Sequence, residues 1–179
     1  MDWKSVTLMW IVVSIVQLIG FLLTLIGYAS NYIVSISKAR EQAHSGIWTE
    51  CHVTKDGTQC LDVADFVEWT KGNRAWVDAS RGMMSISFVG QFLTVVLTFL
   101  ALCRTSTKLM CWITSGVGVF SVLNGIIGVA VAAARGAIDL ENHVQQNVDV
   151  DWSFTLFLIG QLTFLLTSCF HYLDSRSKS

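Results

Sequence analysis

Hydrophobic and polar positions in this chain are sorted into long blocks rather than short periods. Residues 6–29, 83–103, 109–134 and 152–170 contain no Asp, Glu, Lys or Arg, and each block is 19 to 26 residues long. About 20 apolar residues cross a 30 Å hydrocarbon layer as a helix. The pattern therefore predicts four membrane-spanning helices, the last running on to residue 172. Buried helices of a soluble core could mimic one such block, but four in 179 residues would leave almost nothing to wrap them. The first block, preceded by Lys4 and closing on Gly27-Tyr28-Ala29, has the outline of a cleavable leader. Its apolar length exceeds the 7 to 15 residues of a signal core, which predicts a retained span.

Between the spans lie segments 30–82, 104–108, 135–151 and 173–179. In the first, Tyr32-Ile33-Val34-Ser35-Ile36-Ser37 alternates, a hairpin-like stretch runs between Cys51 and Cys60, and Asp65-Phe66-Val67-Glu68-Trp69 follows. These predict strands of a small antiparallel sheet on the helix ends. In the third segment Leu140, Val144 and Val148 recur at four-residue steps, predicting a third helix that outruns the membrane before a short strand at 148–150.

Composition fits this division: 53% of residues are hydrophobic, 14% charged, and the mean hydropathy is +0.54. Such a chain is too apolar for disorder. Twelve basic against thirteen acidic residues leave no excess to neutralise nucleic-acid phosphates, so a nucleic-acid partner is not expected. The near-zero total hides a split. The N-terminal segment, 104–108 and the tail carry five basic and two acidic residues, whereas 30–82 and 135–151 carry seven basic and eleven acidic, a net of +3 against −4. The positive-inside bias places both termini in the cytoplasm and the long loop outside.

Five cysteines fall into two groups. Cys51 and Cys60 flank a stretch containing the turn signal Lys55-Asp56-Gly57, and a hairpin there would bring them within disulfide reach on the oxidising side. Two free thiols, or a metal pair completed by His44 and His52, are the other readings, although no CxxC-type ligand spacing is present. Cys103, Cys111 and Cys169 lie at the expected cytoplasmic ends of spans, where they are candidates for S-palmitoylation or small apolar fillers.

Each span also carries one amide: Gln17, Gln91, Asn124 and Gln161. At 1.5 Å per residue they fall in one layer just outside the midplane, placed to hydrogen-bond between helices. Along the third span Thr114, Gly118, Ser121, Gly125, Gly128 and Ala132 recur at steps of four and three, a stripe of small residues suited to close helix packing, within the chain or across a homodimer. Trp10, Trp112 and Trp152 sit near span ends, as interfacial anchors do.

The segment Gly46-Ile47-Trp48-Thr49-Glu50-Cys51, followed by Cys60, resembles the claudin signature of G-L-W-x-x-C and a second cysteine eight to ten residues on. Arg81 resembles the arginine which that family keeps at the end of its first extracellular loop. The motif is shared by the wider superfamily of claudins, peripheral-myelin-protein-like tetraspans and channel γ subunits, and the short chain looks like invertebrate claudin-like proteins or the myelin-protein branch. The resemblance implies an α-helical membrane protein of one domain over 1–179. Its architecture would be a left-handed four-transmembrane helix bundle under a small disulfide-stapled extracellular antiparallel β-sheet.

It further implies a plasma-membrane protein at cell–cell junctions that associates with itself or other claudin-like chains in cis and trans and forms a paracellular barrier or ion-selective pathway. Asp62 and Asp65, just after Cys60, lie where claudins place charge-selecting residues, which predicts a preference for cations. The alternative is an auxiliary subunit of a channel or receptor, or a myelin-protein-like adhesion protein, binding laterally through its helices.

Departures from the pattern bear on partners. Tyr32 stands where claudins usually carry a tryptophan, there is no proline, and the ending Ser177-Lys178-Ser179 lacks the hydrophobic last residue that a PDZ groove captures, so scaffold binding there is not expected. No N-x-S/T glycosylation site occurs. His44, His52, His143 and His171 are scattered, with no nucleophile–base or metal spacing among them, so neither catalysis, cofactor nor metal is expected.

Overall fold

The structure is a computed structural model that describes residues 3–37, 42–54, 57–69, 74–103, 108–144 and 149–177. The uncharged blocks form helices α1 (Trp3–Ala29), α3 (Ala75–Cys103), α4 (Lys108–Val144) and α5 (Trp152–Ser177). All four are long and apolar enough to cross a membrane, over Leu8–Ala29, Ala75–Ala101, Lys108–Ile138 and Trp152–Asp174. The protein is a multi-pass membrane bundle. Trp10 on α1 packs against Phe170 and His171 on α5, so the start of the first span and the end of the last share one end of the bundle.

The other end carries a five-stranded antiparallel sheet of β1 (Val34–Ser37), β2 (Gln42–Ser45), β3 (Thr49–Thr54), β4 (Gly57–Asp62) and β5 (Asp149–Val150), in the order β4-β3-β2-β1-β5. Cys51 and Cys60 stand directly opposite each other in the β3–β4 ladder, with Cα atoms 4.1 Å apart, and are disulfide-bonded. Gly57 opens β4 at φ +132°, a conformation that costs a side chain dearly. The turn residues Lys55 and Asp56 lie outside the described residues, as do loop 104–107 and residues 145–148.

One expectation is corrected, and two features go beyond the sequence reading. Residues 65–69 are not a strand but part of a short helix, α2 (Val63–Trp69). Asp62 Oδ1 accepts the Ala64 amide at 2.7 Å as a helix N-cap, and Val63, Ala64 and Val67 bury one face against Val77 and Trp76. The helix of the second span starts at Ala75, ahead of the charge-free block, and carries Arg81 to the sheet. Finally, β2 was not foreseen, because Gln-Ala-His-Ser has little strand propensity and is held by ladders on both sides. The extended α4 and the strand β5 follow expectation, except that Val148 is outside the described residues.

Sheet and bundle share one core. Ile33, Val34, Ala43 and Ile47 from the sheet side are buried with Met84, Val129, Ala132, Ala133 and Phe157 from the helices. Burying such side chains stabilises by about 1.5–3 kcal/mol each, which fixes the sheet to the helix ends rather than leaving it on a tether.

Candidate functional site

The sheet meets the bundle around the turn between β2 and β3. Gly46 N donates to Thr49 O at 3.0 Å to close that turn. A Cβ on Gly46 would lie 2.6 Å from Asn31 Cα and collide with the Ser30 carbonyl, so only glycine lets the turn sit on the end of α1. Ile47 is buried beneath it. Trp48 stands edge-on to Tyr28 of α1 at 5.5 Å, and Tyr28 in turn shares a 2.8 Å hydrogen bond with Ser85 of α3 and stacks on Phe88.

Arg81 of α3 completes the arrangement. Its Nε donates to Ile47 O at 3.0 Å, its Nη2 donates to Trp48 O at 3.1 Å and to Asp62 Oδ1 at 2.9 Å, and its guanidinium lies 4.9 Å from the centre of the Trp48 ring. A planar, always-charged fork suits this task, because one group must satisfy two turn carbonyls and a carboxylate at once. The signature residues Gly46, Ile47, Trp48 and Arg81 thus form one joint between sheet and spans, and the Cys51–Cys60 disulfide staples the adjoining β3–β4 ladder.

Asp62 is committed to that joint. Burial would raise its carboxyl, but the hydrogen bonds from Arg81 and the Ala64 amide, with the charges of Arg81 and Arg74, outweigh this and hold its pKa below the usual aspartate value. Asp65 is exposed on α2. The aspartate pair is therefore split, one carboxylate neutralised by an arginine and one facing outward.

Toward the β1–β5 edge of the sheet, Tyr32 stacks on His44 at 4.2 Å and lies 5.6 Å from Trp152 at the start of α5. Burial lowers the His44 pKa; the Asp151 charge opposes this and His52 adds to it. His52 pairs instead with buried Glu50, at 2.9 Å. Among the described residues no group of three metal-binding side chains comes together.

Inside the bundle the four amides do not join in one hydrogen-bonded set. Gln91 Nε2 donates to Gln161 Oε1 at 2.7 Å, joining α3 to α5. Asn124 turns back to its own helix, donating to Phe120 O at 2.8 Å. Gln17 is buried and makes no hydrogen bond to any described residue. The small-residue stripe, by contrast, is buried throughout and used within the chain. Gly118 faces Thr94 and Ser168, Gly125 faces Ser87 and Gln161, and Gly128 faces Met84.

The remaining sequence-derived positions divide. Cys169 is exposed on α5, while Cys111 is buried with its thiol 3.6 Å from Asp174, which removes it from an acylating surface. The side chain of Cys103 is outside the described residues. Trp112 and Trp152 are exposed near helix ends, but Trp10 is 5% exposed and belongs to the interior. His171, near the end of the last span, is also interior, 3.2 Å from Thr98 Oγ1. Compared with known proteins, the chain matches no family model and no curated sequence.

Proposed function

We propose that the chain is a claudin-like junction protein that self-associates through its outer sheet and forms or regulates a paracellular barrier or ion-selective pathway. The observation that carries this reading is the joint of Arg81, Trp48 and Asp62, which holds the sheet rigidly on the spans while leaving β4 as an edge strand with Leu61 exposed. An edge strand offers unpaired backbone groups to a neighbour, and a fixed platform lets many copies meet at one angle. The Cys51–Cys60 disulfide supports an oxidising, extracellular side for the sheet, and the basic Arg104 and Lys108 support a cytoplasmic side for the opposite end.

Cation preference follows from Asp65 more than from Asp62, whose charge Arg81 offsets. The test is expression of the tagged protein in cells that lack junctions. Concentration at cell–cell contacts with strands in freeze-fracture replicas is the expected outcome, and Asp65→Lys then shifts dilution potentials toward anions. Diffuse signal without strands overturns the reading. Co-purification with one stoichiometric channel would turn it into the auxiliary-subunit alternative, whose small-residue stripe on α4 is already occupied inside the bundle.

A further inference from the structure

Helix α4 has two unlike faces. The stripe of Gly118, Ser121, Gly125 and Gly128 is packed inside the bundle. On the outer side Ile113, Val117, Phe120, Asn124, Ile127 and Val131 recur at steps of four and three, and the register continues to Ile138. On a straight helix these positions fall within an arc of about 80°, and a slight left-handed supercoil brings such a 3.5-residue repeat into line. Ile113, Phe120, Ile127 and Ile138 are exposed, and Val117, Asn124 and Val131 are half-buried. Asn124 is the one polar member of this row. It stands at the middle of the span Lys108–Ile138, about 20 Å of helix from either end, where water does not reach an amide. Its Nδ2 donates to Phe120 O at 2.8 Å, a carbonyl of its own helix. Its second N–H and its Oδ1 have no partner among the described residues. The amides of α3 and α5 are no help, because Gln91 and Gln161 are fully buried and paired with each other.

We propose that the outer face of α4 is a lateral docking surface for a second copy of the same chain, a parallel pair in which the two Asn124 amides hydrogen-bond to each other across a two-fold axis. Depth, self-complementarity and register select that occupant. Acyl chains and sterol rings match the apolar positions but carry no polar atom at the middle of the bilayer, and their headgroups and hydroxyls stay at its boundary, so only another span satisfies this amide. An amide with one free N–H and one free oxygen matches itself. Copies inserted in the same direction present Asn124 at the same depth, and a two-fold axis along the membrane normal turns one toward the other. In the heptad register Val117, Asn124 and Val131 share one core position, and Ile113, Phe120 and Ile127 share the other. A lone Asn among β-branched residues at that core position sets register and strand number in parallel helix pairs. The pairing uses a span and leaves the β4 edge free, so it goes beyond contact through the outer sheet and does not rest on junction formation.

The test uses the full-length chain in phosphatidylcholine vesicles, with energy transfer between donor- and acceptor-labelled copies followed as lipid dilutes the protein. A saturable dimer is expected. Asn124→Leu should weaken it roughly tenfold, whereas Asn124→Gln, which keeps both donor and acceptor, should retain most of the pairing. Oxidative cross-linking locates the face without removing the amide. With Cys103 and Cys169 replaced by serine, Ile127→Cys should join copies to one another, and Leu162→Cys, equally lipid-facing on α5, should not. Leu61→Asp, on the sheet edge, should leave the vesicle dimer unchanged. Association of Asn124→Leu equal to wild type overturns the site, as do equal cross-linking at the two cysteines and a monomer in vesicles that hold only this chain. A dimer lost in Leu61→Asp but kept in Asn124→Leu also overturns it, and leaves association through the sheet standing.

Discussion

Two kinds of seam hold the four spans together. Where α5 meets α1, backbones approach until a glycine is needed, since a Cβ on Gly160 would lie 2.8 Å from Gly20 O; where α4 meets α3 and α5, glycines make room for neighbouring side chains, and a Cβ on Gly125 would lie 2.6 Å from Ser87 Oγ and 2.7 Å from Gln161 Oε1. Between α1 and α3 the contact is made by rings instead, with Phe21 stacked on Phe88 at 4.9 Å and 6.2 Å from Phe92, and below them a groove opens. Lipid is as apolar as leucine, so hydrophobicity alone gives helices no reason to associate. Small residues close three seams, the Gln91–Gln161 pair ties α3 to α5 across the bundle, and the fourth seam is left to bulky rings.

The largest effect should come from forcing a closed seam apart. Gly160→Leu inserts a side chain where the Gly20 carbonyl and the Thr24 amide nitrogen already lie within 3 Å of the Cβ position. It should destabilise by about 3 kcal/mol, read as loss of the monodisperse folded peak in detergent. A matching insertion at Val96, on the open seam, should leave that peak in place, and equal losses would mean that the two seams are alike.

A middle-sized effect separates amide pairing from packing. A double-mutant cycle with Gln91→Leu and Gln161→Leu should give a coupling of about 1 kcal/mol in reversible unfolding. The same cycle between Gln17 and Gln161 should give none. Coupling at Gln17 would place all three amides in one network and close the contrast.

The smallest effect concerns the sheet end, where the α1–α3 seam is bridged by Tyr28, Trp48, Arg81 and Asp62. Because the folded-state pKa of Asp62 lies below its unfolded value, its contribution is complete above about pH 4 and is lost as the pH falls further. The Tm should therefore drop on acidification below that point, and Asp62→Asn should flatten this part of the profile. An unchanged acid limb in Asp62→Asn would remove Asp62 from the bridge. The carboxylate is 44% exposed at its side chain, so solvent screening keeps the effect modest.

How much of this was legible in the sequence follows from which physical signals are one-dimensional. Span length and absence of charge are, so all four helices could be read, and so could a hairpin joining Cys51 to Cys60. Depth along a helix is also linear, which is why Gln17, Gln91, Asn124 and Gln161 look like one layer; azimuth around the helix separates them, and each residue turns about 100°. The stretch 65–69, rich in aromatic and β-branched residues, looks like a strand, but the decisive residue is Asp62 just upstream, whose carboxylate caps a helix. Trp10 obeys the rule for interfacial tryptophans in position and breaks it in direction, pointing inward to Phe170 and His171. The role of Arg81 was visible only through resemblance, because nothing local to it reveals the carbonyls of Ile47 and Trp48 more than thirty residues away.

The two-residue strand β5 has a consequence for how the molecule is made. It pairs Val34 with Val150 and Ser35 with Asp149, and Asp151 N donates to Ile33 O, so one rim of the sheet is supplied by chain synthesised after the third span. Until that late segment arrives, β1 presents a bare rim beside a hairpin that can already be oxidised. A ribosome that pauses between the third and fourth spans would expose that rim to other nascent chains, and substitutions at Asp149 or Val150 would act first on assembly yield and only afterwards on the finished protein.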